Sequence, residues 1–310
     1  MSSKHKALMS LLPEFPSFVP ISLDHRNIID DFLRRFPQVN SEMCVTEMFI
    51  WKHAKRTEVA VHGEHLVILV ERSFGEAFHE PVGPAPNIAS VALDVMRWQA
   101  SRGVKPLLYG AAPTTIEHLQ RLHPDIIVTE DPGHADYVYR TEDLITLAGK
   151  KYDAKRNQIH QFKKRYPWSY EPITENSIAQ VLAFQDRWCK LHDCIHHAPL
   201  HEESEAVLEL IRHFPRLPVV GLSVLVNGEI QAFTIGQELN PETAVVIVEK
   251  ANPSFRGIYQ FVNNLFCREM LSRYRFVNRE GDVNDPGLRR AKESYHPHHM
   301  VRKMMVTAAL

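Results

Sequence analysis

The chain has 310 residues, of which 44% are hydrophobic and 24% charged, a composition typical of a globular protein with one large or two medium domains. Its formal net charge of −1 excludes a globally basic nucleic-acid binder but allows a local basic surface. The four cysteines are widely spaced and no secretion signal is recognised, so we expect reduced thiols and a cytoplasmic location.

The hydrophobic segments of the chain are short. The apolar run at 7–12 is too short for the core of a signal peptide. No stretch approaches the roughly 20 apolar residues that a membrane span requires. We therefore expect any membrane contact to be peripheral, at the inner membrane face.

A repeated pattern divides the chain. Segments 59–70 and 224–235 each place a Gly-Glu pair between β-branched runs, which predicts two β-hairpins 165 residues apart. A helix, a strand and a second helix then follow in each half: from Ile88, at 106–109 and from Pro113 in the first, and from Ile258, at 274–277 and from Pro286 in the second. The pattern predicts a duplicated α/β unit, with domains at 1–148 and 149–310.

The second half opens with a strongly basic segment. Residues 150–165 contain seven Lys or Arg and one Asp, a net charge of +6 (seven minus one), and the apolar positions mark one narrow face of a helix at 150–166. Such a helix is either a solvated linker or a contact for phosphates of RNA, coenzyme or lipid head groups. Under the second interpretation, Lys155, Arg156 and Asn157 are candidate binding residues.

A strand, a short loop and a helix follow one another between 244 and 270. The apolar spacing Ile258, Phe261, Val262, Leu265, Phe266 predicts a core-facing helix after a buried strand. Free backbone N–H groups at the helix start, together with the charge of Arg256, would form an anion site. The alternative is an ordinary helix start after a glycine turn. The candidate binding residues here are Arg256, Gly257, Ile258 and Tyr259.

Four motifs in the second half, within 150–167, 249–263, 278–282 and 287–297, resemble a bacterial family of uncharacterised proteins (DUF2156-like). That family is similar to the C-terminal domain of phosphatidylglycerol lysyltransferase. The resemblance implies an α/β (α+β) fold: a tandem pair of N-acetyltransferase-like (GNAT) domains, with two mixed central sheets flanked by helices. Relatives with this fold include the lysyltransferase and the Fem peptidyltransferases, which transfer aminoacyl groups from aminoacyl-tRNA to an amine or hydroxyl acceptor.

The chain departs from simple acetyltransferases at the coenzyme A loop, usually Q/R-x-x-G-x-G/A. Aligned on Gly257, it has Ser254 at the first position and Tyr259 at the last, which disfavours acetyl-CoA. We expect an acyl- or aminoacyltransferase that takes its donor from aminoacyl-tRNA or acyl-CoA and has no tightly bound cofactor. The alternative is a non-catalytic module that keeps the fold and binds phosphate or a nucleotide.

Three residues are candidates for the chemistry. Lys292 resembles a lysine in the closing motif of the lysyltransferase and would hold a phosphate or the reacting carbonyl. Glu280 and Asp282 follow a predicted strand, where polar side chains often meet ligands, and either is a candidate general base. The alternative for these three is a solvated lysine and structural ion pairs with nearby arginines. Glu249 and Lys250 end the preceding predicted strand. Strand alternation places them on opposite faces, so at most one of them faces the same cleft as these three candidates.

The segment 189–201 contains metal-ligating residue types. His192 and His196 are spaced i, i+4, and Cys189 and Cys194 lie beside them. A zinc site usually adds a second, distant pair of ligands, and none is evident in the sequence. We therefore expect a helix end and polar loop here rather than a metal site.

Overall fold

The computed structural model describes residues 11–310, which form two compact units. Unit 1 comprises the chain up to Ala135 together with Val301–Leu310, and unit 2 comprises Asp136–Met300. Most of the N-terminal apolar run at 7–12 lies outside the described residues.

Unit 1 is an α/β unit around one mixed sheet. Its strands and helices are β1 Val19–Pro20, α1 Arg26–Arg35, α2 Val45–Ile50, α3 Lys52–Lys55, β2 Glu58–His62, β3 His65–Arg72, β4 Gly75–His79, α4 Ile88–Ser101, β5 Leu107–Tyr109, α5 Pro113–Leu122, β6 Ile127–Glu130 and, from the end of the chain, β14 Met304–Thr307. The seven strands lie in the order β1-β2-β3-β4-β5-β14-β6. β4 and β5 are parallel, and β14 is antiparallel to both of its neighbours.

Unit 2 contains the same kinds of element. They are β7 Asp136–Arg140, α6 Thr141–Thr146, α7 Asp153–Arg165, β8 Trp168–Pro172, α8 Ile178–His192, α9 Ala198–Arg212, β9 Val219–Val226, β10 Glu229–Asn240, β11 Thr243–Ala251, α10 Ile258–Glu269, β12 Phe276–Asn278, α11 Pro286–Glu293 and β13 His299–Val301. The sheet order is β13-β7-β12-β11-β10-β9-β8, with β11 and β12 parallel.

The two sheets have matching strand orders, which confirms the predicted duplication. The predicted hairpins are β2–β3 and β9–β10, second and third from one edge of each sheet. Gly63 and Gly228 have positive φ in their turns, a conformation that glycine adopts without steric cost. Each parallel pair follows, and the helices α4 and α10 connect its two strands as the sequence predicted.

The sixth position of each sheet is filled differently from what a simple tandem array would give. In the sheet of unit 1 it is β14, near the end of the chain, and in the sheet of unit 2 it is β7, which follows β6 in sequence. The compact units therefore divide at 135/136, whereas the predicted domain boundary lies at 148/149. Sequence periodicity identifies a strand but does not say which sheet the strand joins. The boundary at 148/149 therefore stays a prediction of where the second repeat begins in the sequence.

Helix α10 shows why this sequence folds locally as it does. The apolar positions Ile258, Phe261, Val262, Leu265 and Phe266 are all buried in the core of unit 2. Gly257 precedes the helix with φ 92°, and a Cβ there would lie 2.4 Å from the carbonyl oxygen of Gln158 in α7. The glycine is therefore required both by its backbone conformation and by the close approach of α7.

Within the described residues, no helix is long and apolar enough to cross a membrane.

Candidate active site

A gap opens where the parallel strands of unit 2 separate. Pairing between β11 and β12 ends at Val245 and Asn278, but β11 continues to Ala251. The side chains of Glu249 and Arg279 span the gap, with Arg279 Nη2 3.2 Å from Glu249 Oε1, and both side chains are largely buried. The predicted site residues at 280–292 follow directly from this point in the chain.

The Arg279–Glu249 ion pair has a dense polar and aromatic surround. Asn263 Nδ2 donates to Glu249 Oε2 at 3.2 Å, and the Arg279 guanidinium lies 5.1 Å from the ring centre of Tyr295. Burial alone would lower the pKa of Arg279, but Glu249 and the neighbouring Tyr139, Tyr295 and Cys267 together outweigh it, and the pKa is raised. The arginine is thus a permanent cation inside the gap.

Lys292 holds the chain that leaves β12. Its Nζ donates to the carbonyl oxygens of Arg279 at 2.7 Å and of Glu280 at 3.1 Å, and also to that of Gly281. Burial lowers the pKa of Lys292 to about 8, with Arg279 adding to the shift and Glu280 opposing it. Glu280 has φ 58°, an uncommon conformation for a residue with a side chain. The ammonium therefore stabilises the turn that contains Glu280.

Asp282 is held by its own partners. Arg289 donates to it through Nε at 2.8 Å and Nη2 at 3.0 Å, and the Tyr137 hydroxyl donates at 2.7 Å. The Arg289 hydrogen bonds lower the pKa of Asp282 to about 2, despite its burial. A carboxylate with such a low pKa is a weak proton acceptor near neutral pH. Asp282 therefore serves best as a fixed anion that positions the loop.

At the start of α10, one of the main-chain donors expected from the sequence is already engaged within the chain. The N–H of Ile258 donates to the carbonyl of Phe255 at 3.0 Å, and Gly257 packs against the main chain of α7. The Tyr259 hydroxyl donates to the Ala251 carbonyl at 3.0 Å. Arg256 is exposed. Among the described residues, Glu280, Asp282 and Lys292 come together, and no hydrogen bond connects Arg256 to them.

Helix α7 lies within the basic segment, begins at Asp153 rather than at 150, and has basic side chains that make different kinds of contact. Arg156 donates to the carbonyls of Leu147 and, at 2.9 Å, of Gly149, so it ties down the preceding loop. Lys155 donates to Ser294 Oγ at 2.7 Å and lies 4.2 Å over the Tyr295 ring. Burial lowers the pKa of Lys155, and the charge of Arg279 lowers it further. Lys155 therefore belongs to the cluster at the gap.

Other polar residues of α7 face solvent. Asn157 is exposed, as are six of the seven basic residues of the segment, and four of them make no side-chain hydrogen bond within the part of the chain that the structure describes: Lys150, Lys151, Lys164 and Arg165. Lys163 is exposed at its residue level, but its Nζ lies 5.4 Å from the centre of the Phe261 ring. The surface that can meet a polyanion is therefore smaller than the +6 of the sequence suggested.

The opposite face of β11 carries a separate ion pair. Lys250 Nζ lies 2.7 Å from Glu203 Oε1 of α9 and 3.9 Å from the ring centre of Trp188. Glu249 and Lys250 thus occupy opposite faces, as strand alternation predicted. Only Glu249 reaches the gap.

The His and Cys side chains of the segment 189–201 contact neighbouring residues of the chain. His192 stacks on Trp188 at 3.9 Å between ring centres, and His196 Nδ1 lies 2.6 Å from Asp193. Cys189 Sγ contacts Ser204 Oγ at 3.0 Å. Within the described residues, no group of three or more His, Cys, Asp or Glu is placed to hold a metal ion.

Unit 1 contains a buried ionic cluster that sequence reasoning missed. Glu42 pairs with Arg72 and, at 3.0 Å, with Lys55. Arg72 lies 3.8 Å over the ring of Tyr109, whose hydroxyl donates to Asp131 at 3.2 Å. These residues lie far apart in sequence and share no motif. No local pattern could have identified them as a cluster.

Comparisons with known proteins agree with this architecture. Residues 33–307 match the family described as phosphatidylglycerol lysyltransferase, C-terminal. The chain belongs to this family. An uncharacterised protein of Mycoplasmoides gallisepticum is 25% identical over 175 residues, and the match spans 55% of each chain.

Solved structures extend the likeness along the chain. A conserved protein of unknown function from Bacteroides thetaiotaomicron VPI-5482 is 32% identical, with a TM-score of 0.89 over 94% of this chain and 99% of that one. L-PGS from Bacillus licheniformis, 12% identical, has a TM-score of 0.65 over 95% and 93%. FemX, 7% identical, has a TM-score of 0.58 over 93% and 96%. At these low identities the last two show a shared fold, and the two seven-stranded mixed sheets flanked by helices confirm the predicted α/β fold class.

Proposed function

We propose that the protein is an aminoacyltransferase that moves an aminoacyl group from aminoacyl-tRNA to an amine or hydroxyl of a second substrate. The observation that carries the proposal is a continuous line of contacts from the basic helix to the strand gap. Lys155 of α7 lies 4.2 Å over the Tyr295 ring, and Arg279 lies 5.1 Å from the same ring. A polyanion along α7 would lie beside groups able to act on its ester.

The exposed cations of α7 and the preceding turn would receive the RNA. Lys150, Lys151, Lys164 and Arg165 are free of the packing that engages Lys155 and Arg156. Phosphate contacts of this kind give salt-dependent, sequence-independent affinity. Exposed Arg256 and Asn157 would extend the same surface.

The gap supplies the groups that acyl transfer needs. The acceptor attacks the ester carbonyl carbon, the carbonyl oxygen gains negative charge, and the ester C–O bond breaks to release the ribose hydroxyl. The Lys292 ammonium, whose three N–H groups already donate to main-chain carbonyls, would stabilise the oxyanion through its positive charge. The Glu280 carboxylate would take the proton of the acceptor and return it to the leaving hydroxyl.

The start of α10 supports RNA over acyl-CoA as the donor. The Ile258 N–H already donates to the Phe255 carbonyl, and the main chain of α7 packs closely against Gly257. A pyrophosphate cradle needs such N–H groups free. No tightly bound cofactor is part of the proposed reaction.

The experiment compares donors directly. The purified protein is incubated with aminoacyl-tRNAs charged with labelled amino acids, and separately with labelled acyl-CoA, each with a mixture of amine and hydroxyl acceptors. We expect the label to move from tRNA into an acceptor faster than the ester hydrolyses alone. Label transfer only from acyl-CoA would overturn the choice of donor, and no transfer from either would overturn the proposal.

A matched pair of variants tests the RNA surface. Replacing Lys150, Lys151, Lys164 and Arg165 with Ala should weaken tRNA binding and flatten its dependence on salt, with about 0.7–0.9 lost from the log–log slope for each phosphate contact removed. The control replaces four exposed basic residues of unit 1, Arg34, Arg97, Lys105 and Arg121. Equal loss in both variants would mean that only net charge matters.

A non-catalytic phosphate-binding module is the second candidate, and two observations favour it. The Lys292 ammonium already satisfies three main-chain carbonyls, and Asp282 has a pKa of about 2. Under this alternative the protein binds tRNA but leaves its aminoacyl ester intact. The donor comparison above separates the two outcomes.

Peripheral contact with anionic lipid belongs to the same proposal. The exposed cations that would bind RNA would also attract anionic head groups. Flotation with phosphatidylglycerol vesicles, with and without tRNA, tests this. Failure of the vesicles to compete with tRNA for the protein would contradict a shared surface.

A further inference from the structure

A cavity of about 400 Å³ lies in unit 2 at the end of β12 opposite the gap. Its lining comes from the end of β7, the start of α6 and the turn after α10: Arg140, Thr141, Glu142, Ile145, Ser272, Tyr274 and Arg275. The N–H of Thr141 donates to the Arg275 carbonyl at 3.0 Å, which fixes the two walls side by side. The volume falls within the range of small-molecule sites in proteins.

Two guanidiniums dominate the polar lining. Arg140 and Arg275 are both exposed. Arg140 contacts His298 Nε2 at 3.3 Å, and Arg275 has a loose, solvent-exposed ion pair with Glu242 at 3.6 Å. Neither is locked in a buried pair like that of Arg279, so both keep N–H donors for a ligand. Paired arginines are the side chains best suited to carboxylates and phosphates, because their N–H groups match two oxygens at once.

The lining of the cavity also includes Thr141 and Glu142, which carry a hydroxyl and a carboxylate. Thr141 is buried, and among the described residues its hydroxyl oxygen has no hydrogen-bond partner. Buried hydroxyls in native proteins normally have one. Glu142 adds a carboxylate to the same lining, which suits a ligand carrying an amine or hydroxyl besides its oxyanion.

The cavity is separate from the proposed transfer site. β12 is three residues long, with Arg275 preceding it and Arg279 following its last residue, Asn278. Opposite ends of such a strand are roughly 10 Å apart. A ligand at Arg275 therefore would not occupy the gap between β11 and β12.

We propose that Arg140 and Arg275, with the hydroxyls of Thr141 and Ser272, form a second binding site for a small molecule that carries a carboxylate or phosphate. The arginines hold the oxyanion, and Glu142 receives a donor group of the same ligand. This site binds its ligand whether or not the protein transfers aminoacyl groups.

Titration calorimetry of the whole chain with three probes tests the site: L-alanine for a carboxylate beside an amine, AMP for a phosphate beside hydroxyls, and inorganic phosphate alone. We expect L-alanine or AMP to bind more tightly than inorganic phosphate. Arg140→Gln and Arg275→Gln should each weaken that binding roughly tenfold or more, as the loss of a charge-assisted contact predicts. If the ligand is an amino acid, Glu142→Gln should weaken the binding of L-alanine more than that of AMP. If the ligand is a nucleotide, it should weaken the binding of AMP more than that of L-alanine.

The matched control is Arg212→Gln, which removes the same charge from an exposed position on α9. It should leave binding unchanged within about twofold. Failure of all three probes to bind at about 1 mM would overturn the proposal. Equal weakening by Arg212→Gln would also overturn it, since the effect would then be one of net charge. Aminoacyl-transfer assays on the same variants test the proposed activity separately, so that failure of ligand binding and failure of transfer can be told apart.

Discussion

The two units share a strand order but treat the ends of their parallel strands differently. In unit 1, β4 and β5 end together at the pair His79–Tyr109. In unit 2, β11 runs from Val246 to Ala251 beyond its last pairing with β12. Both units place an arginine near a tyrosine ring and pair it with a buried glutamate. Only in unit 2 does that pair span an opening.

The difference shows that the same position in one fold can hold either a closed ionic cluster or an ion pair beside an opening. The cluster of unit 1 is closed: burial would raise the pKa of Glu42, but Lys55, Lys303 and Arg72 hold it well below its usual range. Burial lowers the pKa of His79 to about 3, so it is neutral near pH 7. Unit 2 instead leaves main-chain carbonyls after β12 to be held by Lys292. For this reason we assign the proposed chemistry to unit 2.

The largest expected effect comes from comparing the buried lysines of the two units. Lys292→Met should lower turnover of aminoacyl transfer by ~10²–10⁴, because it removes the positive charge proposed to stabilise the oxyanion. Lys303→Met removes a lysine of unit 1 that is more deeply buried and contacts Ser41. It should affect turnover only through the fraction of folded protein. Single-turnover assays at saturating donor, with thermal unfolding as the control for folding, decide between them. Equal losses of turnover would remove the distinction between the units.

The next effect concerns the two buried arginine–glutamate pairs. Arg279→Ala and Arg72→Ala each leave a buried carboxylate without its main partner, and each should lower the free energy of unfolding by about 3–5 kcal/mol. Urea denaturation measures this. Adding Glu249→Leu or Glu42→Leu should recover most of the stability in its own unit. Recovery of transfer activity in the Arg279→Ala, Glu249→Leu double variant would show that the gap does not need its charges.

A smaller effect distinguishes the glycines of the two units. Gly257→Ala places a Cβ 2.4 Å from the Gln158 carbonyl at φ 92°, and should cost about 2 kcal/mol or more of stability. Gly103 in unit 1 also has positive φ, but nothing lies within 4 Å of a Cβ there. Gly103→Ala should cost only about 1 kcal/mol. Thermal unfolding of both variants gives the comparison, and equal costs would mean that α7 can move away from α10.

The smallest effect is a change in acid stability from Asp282. Its pKa is lowered from 3.8 to about 2 in the folded state, so its contribution is fully present above pH 3.8 and is lost as the pH falls toward 2. After allowing for solvent screening, the loss is about 1 kcal/mol. Asp282→Asn should remove this part of the pH dependence. Urea midpoints measured from pH 5 to about 2 test it, and parallel curves for the two proteins would contradict the assignment.

Sequence patterns predicted much of the fold because those parts depend on neighbouring residues. The spacing of Ile258, Phe261 and Val262 predicted the buried face of α10, and the Gly-Glu turns predicted both hairpins. The order of these elements in each half predicted the duplication. Motif residues at 280–292 likewise predicted the loop that Lys292 organises, although which groups carry the proposed chemistry stays a prediction.

The sequence alone determined the fold class, the duplication, the basic helix and the opposite faces of Glu249 and Lys250, because helix and strand periods are local properties of the chain. Only the tertiary structure decided which charges are spent on the protein itself: Arg156 on loop carbonyls, Lys292 on the turn after β12, and Glu42 on Arg72 and Lys55. It alone also decided that β14 completes the sheet of unit 1. These outcomes depend on partners distant in sequence, and a buried charge or an unpaired strand edge is stabilised by whichever partner the fold brings to it.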